Sequence, residues 1–263
     1  MDKKKQIIIP IYKPELSVLE MQSLRRIYQI MHNYEIIIIK PKSIDLEHLL
    51  NDFPLLTFAA FPDHFFNGIS GYNKLMMSSD FYKFFLDQNI EYILLCQLDA
   101  YIFYDKLEYF SSLNYDYIGA PWLNRRLYQI FPFLKYIKTM KRKYRKKDIT
   151  WEQNTKNQIG NGGFSLRKVQ SFYDASLKYS DRIKVYESHQ NISSVYNEDT
   201  FWSKEPSEFR YPSVEEALQF SFDKYPQLCF YRNKKKLPMG CHGWYKWKWR
   251  SFWEKHIDFD DRK

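Results

Sequence analysis

Three stretches of this chain are apolar almost without a break: 6–11 (QIIIPI), 35–40 (EIIIIK) and 92–98 (YILLCQL). A strand with one wet face alternates apolar and polar residues. A strand apolar on both faces has to be covered on both, the condition of a parallel sheet between two layers of helices. A fourth segment of this kind is 56–61 (LTFAAF). Helical spacing lies between them. Over 15–32, Leu16, Leu19, Leu24, Ile27, Tyr28 and Met31 fall near one helical face. Over 71–87 the pattern returns, with Leu75, Met76 and Phe84 expected inward. The alternation predicts an α/β nucleotide-binding type of architecture, with ligands beyond the carboxyl ends of the strands. Asp99 follows the 92–98 strand at such an end. Further on, 166–179 is expected to be helical, and Ser213-Val214-Glu215-Glu216 is a capping box opening a helix through Phe222. No repeat and no linker divides the sequence, so one domain is expected.

The charge is local. Lys and Arg number 40 against 31 Asp and Glu, a net +9. Between Arg125 and Lys147 stand ten basic residues and no acidic one, and without them the chain is close to neutral. In the same stretch Phe133, Ile137, Met140 and Tyr144 form a helical stripe, with Lys135, Lys138, Arg142 and Arg145 on other faces. A basic amphipathic helix suits an anionic membrane surface, and it also suits a solvated helix closing over a core. The same two readings hold for the C-terminal Trp244, Trp247, Trp249 and Trp253, interleaved with Lys246, Lys248, Arg250 and Lys255. Charge confined to one segment, with no reader motif, argues against a nucleic-acid partner.

Cys96, Cys229 and Cys241 are odd in number and form no C-x-x-C pair, which fits reduced thiols in a cytoplasmic protein. The apolar run after Lys5 breaks at Pro10, too short for a signal peptide, and no window reaches the roughly 20 apolar residues of a membrane span. Peripheral contact with the inner face of a membrane is the most that is expected.

Four polar constellations could carry chemistry. Gln97-Leu98-Asp99 puts a carboxylate at a strand end, where it needs a partner or a cation such as Mg²⁺ or Mn²⁺, or else serves as a helix cap. Gly160-Asn161-Gly162-Gly163 concentrates three of the chain's 8 glycines, which lets a ligand approach the backbone. It is expected to lead into a helix whose amides could meet an anion. Asn197-Glu198-Asp199 is either a helix start or a general base with its partner. His242, between Gly240-Cys241 and Gly243, is either a loop residue or a metal ligand. No P-loop, G-x-G-x-x-G or G-x-S-x-G is present.

Taken in order, these motifs resemble GT-A-fold glycosyltransferases, and in particular a bacterial and eukaryotic family known as a domain of unknown function. The matching pieces are Tyr72-Asn73-Lys74-Leu75-Met76, Cys96-Gln97-Leu98-Asp99, Tyr115 to Trp122 (YDYIGAPW), Gly160 to Arg167 (GNGGFSLR), Asn197-Glu198-Asp199 and Gly240 to Trp244 (GCHGW). The resemblance implies a GT-A-like, Rossmann-like fold: a mixed, mainly parallel sheet flanked by helices. It implies one catalytic domain with a nucleotide-sugar-binding half (1–123), a basic amphipathic insertion (124–158) and an acceptor half (159–263). It implies a hexosyltransferase that moves a sugar from a nucleotide-sugar, expected to be a UDP-sugar, to a hydroxyl of a surface-glycan or lipid-linked acceptor. Pro10, Tyr12, Asn73, Gln97 and Asp99 would bind the donor. Asn161, Gly162, Gly163, Trp122 and Trp244 would meet the sugar or acceptor. Asp199 would be the base of an inverting reaction, with Glu198 on an acceptor hydroxyl. Asp99 and His242 would hold Mn²⁺ or Mg²⁺, although Gln97 stands where a D-x-D motif has its first Asp. Competing readings are a non-catalytic sugar- or nucleotide-binding relative, a nucleotidyltransferase on the same fold, and a nucleic-acid-binding protein.

Overall fold

A computed structural model of the protein describes residues 4–123 and 159–262, with Tyr136 between them. The basic stripe between Arg125 and Lys147, and the insertion assigned to 124–158, lie outside the described residues apart from Tyr136.

The chain opens β1 (Lys4–Pro10), α1 (Val18–Ile30), β2 (Glu35–Pro41), β3 (Leu56–Phe61), α2 (Gly68–Met77), α3 (Ser79–Leu86) and β4 (Ile90–Cys96). There follow β5 (Ala100–Ile102), α4 (Leu107–Ser112), β6 (Tyr117–Ile118), β7 (Ala120–Pro121), β8 (Ile159–Gly160) and β9 (Phe164–Lys168). The remainder is α5 (Val169–Lys178), α6 (Ser180–His189), α7 (Glu198–Lys204), α8 (Val214–Phe220), β10 (Ser221–Phe222), α9 (Pro226–Arg232), β11 (Gly240–His242) and α10 (Trp247–Trp253).

The main sheet has six strands in the order β3-β2-β1-β4-β9-β6. β1 to β4 pair in parallel, and β9 runs antiparallel to both β4 and β6. The expectation of two covered faces holds for β1, β2 and β4, whereas β3, at the sheet edge, leaves Thr57 and Ala60 exposed. Ile7, Ile9, Ile36, Ile38 and Leu94 point into one core with Leu24 and Ile27 of α1. Ile8, Ile37, Ile39, Ile93 and Leu95 point into the opposite core with Phe81 and Phe85 of α3 and Phe172 of α5. A third core gathers Phe222, Cys241, Trp244, Phe252 and Trp253 beside a small sheet ordered β10-β11-β5.

Three expectations change. The helix expected over 71–87 is two helices, because Ser78 is extended and its side chain accepts the Asp80 N–H, restarting the helix. Phe84, expected inward, is 38% exposed. The helix expected over 166–179 begins only at Val169. Residues 164–168 form β9, which lies inside the sheet and carries the fully buried Arg167. The Gly-rich loop therefore leads into a strand, and the helix amides proposed there as an anion site do not exist. The Ser213 capping box forms as expected, but its helix ends at Phe220 and Ser221–Phe222 turn into β10. No helix of the described residues is long and apolar enough to cross a membrane.

Ile93 is fully buried at the centre of β4. Ile93→Ala should cost about 2–5 kcal/mol in denaturant unfolding. Ile69→Ala, at a residue 72% exposed, should stay within about 0.5 kcal/mol.

Candidate functional site

β1 and β4 both end at one cleft, a cavity of about 570 Å³. That is the size of an ordinary small-molecule site. Its wall includes Pro10, Tyr12, Tyr72, Asn73, Gln97, Asp99, Asn161, Gly162, Gly163, Glu198, Asp199, His242 and Lys246.

The first group is built by strand register. After β4 the chain turns tightly, with the Ala100 N–H donating to the Gln97 carbonyl at 2.8 Å. β5 then pairs antiparallel with β11 so that His242 faces Ala100. That brings His242 Nε2 to 3.0 Å from Asp99 Oδ1. β10 runs parallel to β11 with Phe222 beside Cys241, which sets the next residue, Asp223, against the other ring nitrogen at 3.1 Å. Lys246 Nζ takes the second Asp99 oxygen at 3.0 Å. Burial disfavours the charged imidazole, but Asp99 and Asp223 outweigh it and push His242 up to about 9. Burial likewise opposes the Asp99 carboxylate, and His242 and Lys246 hold it below the usual carboxylate range.

The second group is built by the Gly-rich loop and α7. The Gly163 carbonyl accepts the Gln97 N–H at 2.8 Å, fixing the loop to the end of β4. Asn161 has φ 104°, and its Oδ1 accepts the Gly163 N–H at 2.8 Å. Its Nδ2 is buried with no partner among the described residues, a donor left for a ligand. A Cβ on Gly162 would stand 1.8 Å from Glu198 Oε1, and one on Gly163 would stand 2.2 Å from His242 Cδ2. Glycine is required at both by close approach. Glu198 opens α7 and meets Arg167 Nη2 with both oxygens, at 3.1 and 3.0 Å. Arg167 also donates to Tyr82 Oη at 2.9 Å and to Ser165 Oγ at 3.1 Å. Asp199, the next residue, accepts the Thr200 N–H at 2.8 Å and otherwise faces the cavity. Burial pushes its carboxyl up, the Thr200 N–H and Lys224 oppose, and Asp223 adds to the rise.

The sequence pattern of a family described as "Protein of unknown function (DUF5672)" matches residues 55–242. The chain belongs to that family. No curated protein matches it in sequence. Solved structures resemble it in fold. The glycosyltransferase GlyE of Streptococcus pneumoniae TIGR4 superposes with TM-score 0.55 at 13% identity, over 99% of this chain and 62% of that one. Mouse xyloside xylosyltransferase 1 gives 0.53 at 10% identity, over 91% and 97%. The galactosyltransferase LgtC, solved with donor and acceptor sugar analogs, gives 0.51 at 11% identity, over 95% and 94%. The chain thus spans about three-fifths of GlyE. Identities this low establish the fold, which is that of the GT-A glycosyltransferases: mixed α/β, with a mostly parallel central sheet between helices.

All five residues expected at the donor line the DUF5672 cavity, but not all are free. Asn73 is 3% exposed. Its Nδ2 donates to Gln190 and Asn197, and its Oδ1 accepts the Glu198 N–H. It holds the start of α7 rather than a ligand. Glu198, expected on an acceptor hydroxyl, spends both oxygens on Arg167. Trp122 and Trp244, expected at the sugar, are 2% and 0% exposed and outside the cavity wall. Trp122 packs beneath Gly160, and Trp244 packs on Phe259 while donating to Ser23 Oγ at 3.0 Å. Of the C-terminal tryptophans, read as suiting either a bilayer or a core, Trp253 is also core, Trp249 is half-buried and Trp247 is 80% exposed.

The divalent-metal expectation meets a different arrangement. Asp99 and His242 are together, but each points its donor atoms at the other. Asp223 sits at the far ring nitrogen, so the three groups form a chain instead of converging. Among the described residues no three His, Cys, Asp or Glu side chains are placed to share a metal ion. The residues present do not fit the ion that a D-x-D reading implies.

Sequence reasoning missed Asp223, for which no pattern signals a role. It read Lys246 only as one of the cations interleaved with the C-terminal tryptophans, at a bilayer or beside a core, and the three-residue step past Gly243 is the hint that Lys246 turns back onto Asp99.

Glu198→Ala would strand the buried Arg167 charge and should destabilise the fold by about 3–5 kcal/mol, read by chemical unfolding.

Proposed function

We propose that this chain is a glycosyltransferase of the hexosyl type, moving a sugar from a nucleotide-sugar to an acceptor hydroxyl. The donor is a UDP-sugar and the acceptor a surface glycan or lipid-linked glycan on the reading of the sequence. The observation that carries the proposal is a pair of cavity carboxylates in different settings. Asp99 is tied to His242 and Lys246, while Asp199, among the described residues, is met only by the backbone N–H and the hydroxyl of Thr200, and burial raises its pKa. Environments that push two titratable groups apart divide their roles. The GT-A fold supports the same assignment by analogy.

In this scheme Pro10 and Tyr12, at the end of β1, border the nucleoside. The diphosphate lies over Asp99 within reach of Lys246, whose ammonium stabilises the charge that grows on it as it leaves. Asn161 Nδ2 donates to an oxygen of the sugar. The acceptor oxygen attacks the anomeric carbon from the face opposite the diphosphate. The bond to the phosphate oxygen breaks, the nucleoside diphosphate departs with the electron pair, and the acceptor proton passes to Asp199. One displacement of this kind inverts the anomeric centre. Glu198, Arg167 and Asn73 position Asp199 without touching substrate. No step passes through a metal ion.

As part of the same proposal, the basic segment between Arg125 and Lys147 docks the enzyme on an anionic bilayer at the cytoplasmic face. Vesicle binding that falls as salt rises supports this, and equal binding to neutral vesicles in high salt removes it.

Asp199→Asn should lose nearly all transfer while keeping donor affinity, measured by product formation beside calorimetry. Retained turnover would take Asp199 out of the base role. Since the base acts deprotonated, kcat/KM of the wild type should fall as pH drops through a pKa above the ordinary aspartate value of about 3.9. The released product should be a nucleoside diphosphate, and release of pyrophosphate would make the protein a nucleotidyltransferase.

A further inference from the structure

We propose that this site holds the diphosphate of its nucleotide with protein cations, Lys246 foremost, in place of a divalent metal ion. The inference rests on the nucleotide-sugar reading above. A hard divalent cation needs several oxygen ligands that converge with their lone pairs unspent. Here Gln97 leaves Asp99 as the one carboxylate at the end of β4. Both its oxygens are engaged, Oδ1 by His242 and Oδ2 by Lys246, each at 3.0 Å. The second ring nitrogen of His242 is spent on Asp223 at 3.1 Å.

The turn that follows β11 brings the half-exposed Lys246 side chain back to Asp99. Gly243 has φ +66° and donates its N–H to the Asp99 carbonyl at 2.7 Å. The Lys246 N–H closes the turn on the Gly243 carbonyl at 3.2 Å. The lysine stem then lies directly over Gly243, where a Cβ would stand 2.7 Å from Lys246 Cδ and 3.0 Å from Nζ. The positive φ is what calls for glycine at this turn. The ammonium reaches Asp99 with one donor and keeps two for phosphate oxygens. A cation that touches a carboxylate on one side and the diphosphate on the other is the arrangement a metal ion would otherwise supply. A second lysine on the cavity wall, Lys13, pairs with Glu20 at 2.6 Å, and Glu20 is itself the capping-box residue of α1.

The test is calorimetric titration of the full chain with UDP and with GDP, in EDTA and in Mn²⁺, for the wild type, Lys246→Met and Asp99→Asn. Thermal unfolding of each variant checks that it is folded. The proposal expects the same affinity in both buffers. Lys246→Met should weaken binding by about ten- to a hundredfold, the worth of a charge-assisted hydrogen bond. Asp99→Asn, which loosens the anchor of the ammonium, should change the affinity by the same factor in EDTA and in Mn²⁺. Binding that needs Mn²⁺ and disappears in Asp99→Asn overturns the inference and leaves the nucleotide reading standing. Tight binding of Mn²⁺ alone to the wild type overturns it as well. Failure of both nucleotides to bind in either buffer removes the nucleotide reading itself, and this inference with it.

Discussion

An arginine with no solvent contact, set in the interior of a six-stranded sheet, is stable only if its charge is met where it stands. Arg167 is met by the two oxygens of Glu198, by the Tyr82 hydroxyl and by Ser165. Tyr117 and Phe172 lie within cation–π distance, at 5.7 and 5.4 Å. The consequence is a cross-link. β9 belongs to the sheet, Glu198 begins α7, and Tyr82 comes from α3, so one guanidinium fastens three separate parts of the chain. Asn73 of α2 adds a second fastening by accepting the Glu198 N–H and donating to Asn197. A buried ion pair contributes little net stability, but breaking it is costly, and that asymmetry makes it a good device for fixing position. What it fixes is Asp199, one residue along, whose carboxyl enters the cavity with no such anchor of its own.

The sheet order explains why everything meets at one end. β1 and β4 are parallel neighbours, so their carboxyl ends open on the same side. The antiparallel β9 enters the sheet from that side, which delivers the Gly-rich loop 160–163 to the same rim. The small sheet then returns β11 beside β5 and brings His242 to Asp99. Three chain segments more than sixty residues apart thus converge through backbone pairing alone. The side chains fill a place that the topology has already defined.

Much of this was legible in the sequence, and the parts that were not have physical reasons. Continuous apolar runs mark strands, so 35–40 and 56–61 match β2 and β3 to within a residue, although β3, at the sheet edge, is covered only in part, and the Ser213 capping box marks its helix start. β9 reads as the start of a helix because Leu166, Val169 and Tyr173 fall at helical spacing, and because an arginine inside a strand looks exposed until its distant carboxylate is known. Glu198 and Asp199 are adjacent carboxylates in the sequence and cannot be ranked there. Only Arg167, thirty-one residues earlier, separates the anchored one from the free one. Trp122 and Trp244 carry the same ambiguity, since an indole serves a sugar platform or a core equally well, and close packing against Gly160 and Phe259 decides for the core.

The electrostatics of the cavity follow from the same placements. Asp99, Asp223 and Asp199 are three carboxylates in one neighbourhood, and left alone they would repel each other and a diphosphate alike. The fold separates them by partner. Asp99 and Asp223 share the imidazole of His242, and Lys246 adds a further positive charge, so that corner is near balance and can accept phosphate oxygens. Among the described residues Asp199 receives the backbone N–H and the hydroxyl of Thr200 and no direct cation, and burial pushes its carboxyl up, toward taking a proton. A diphosphate and a proton acceptor need opposite fields. Two corners of a cavity of about 570 Å³ provide them because β11 and the turn after it bring His242 and Lys246 to one and α7 brings Asp199 to the other.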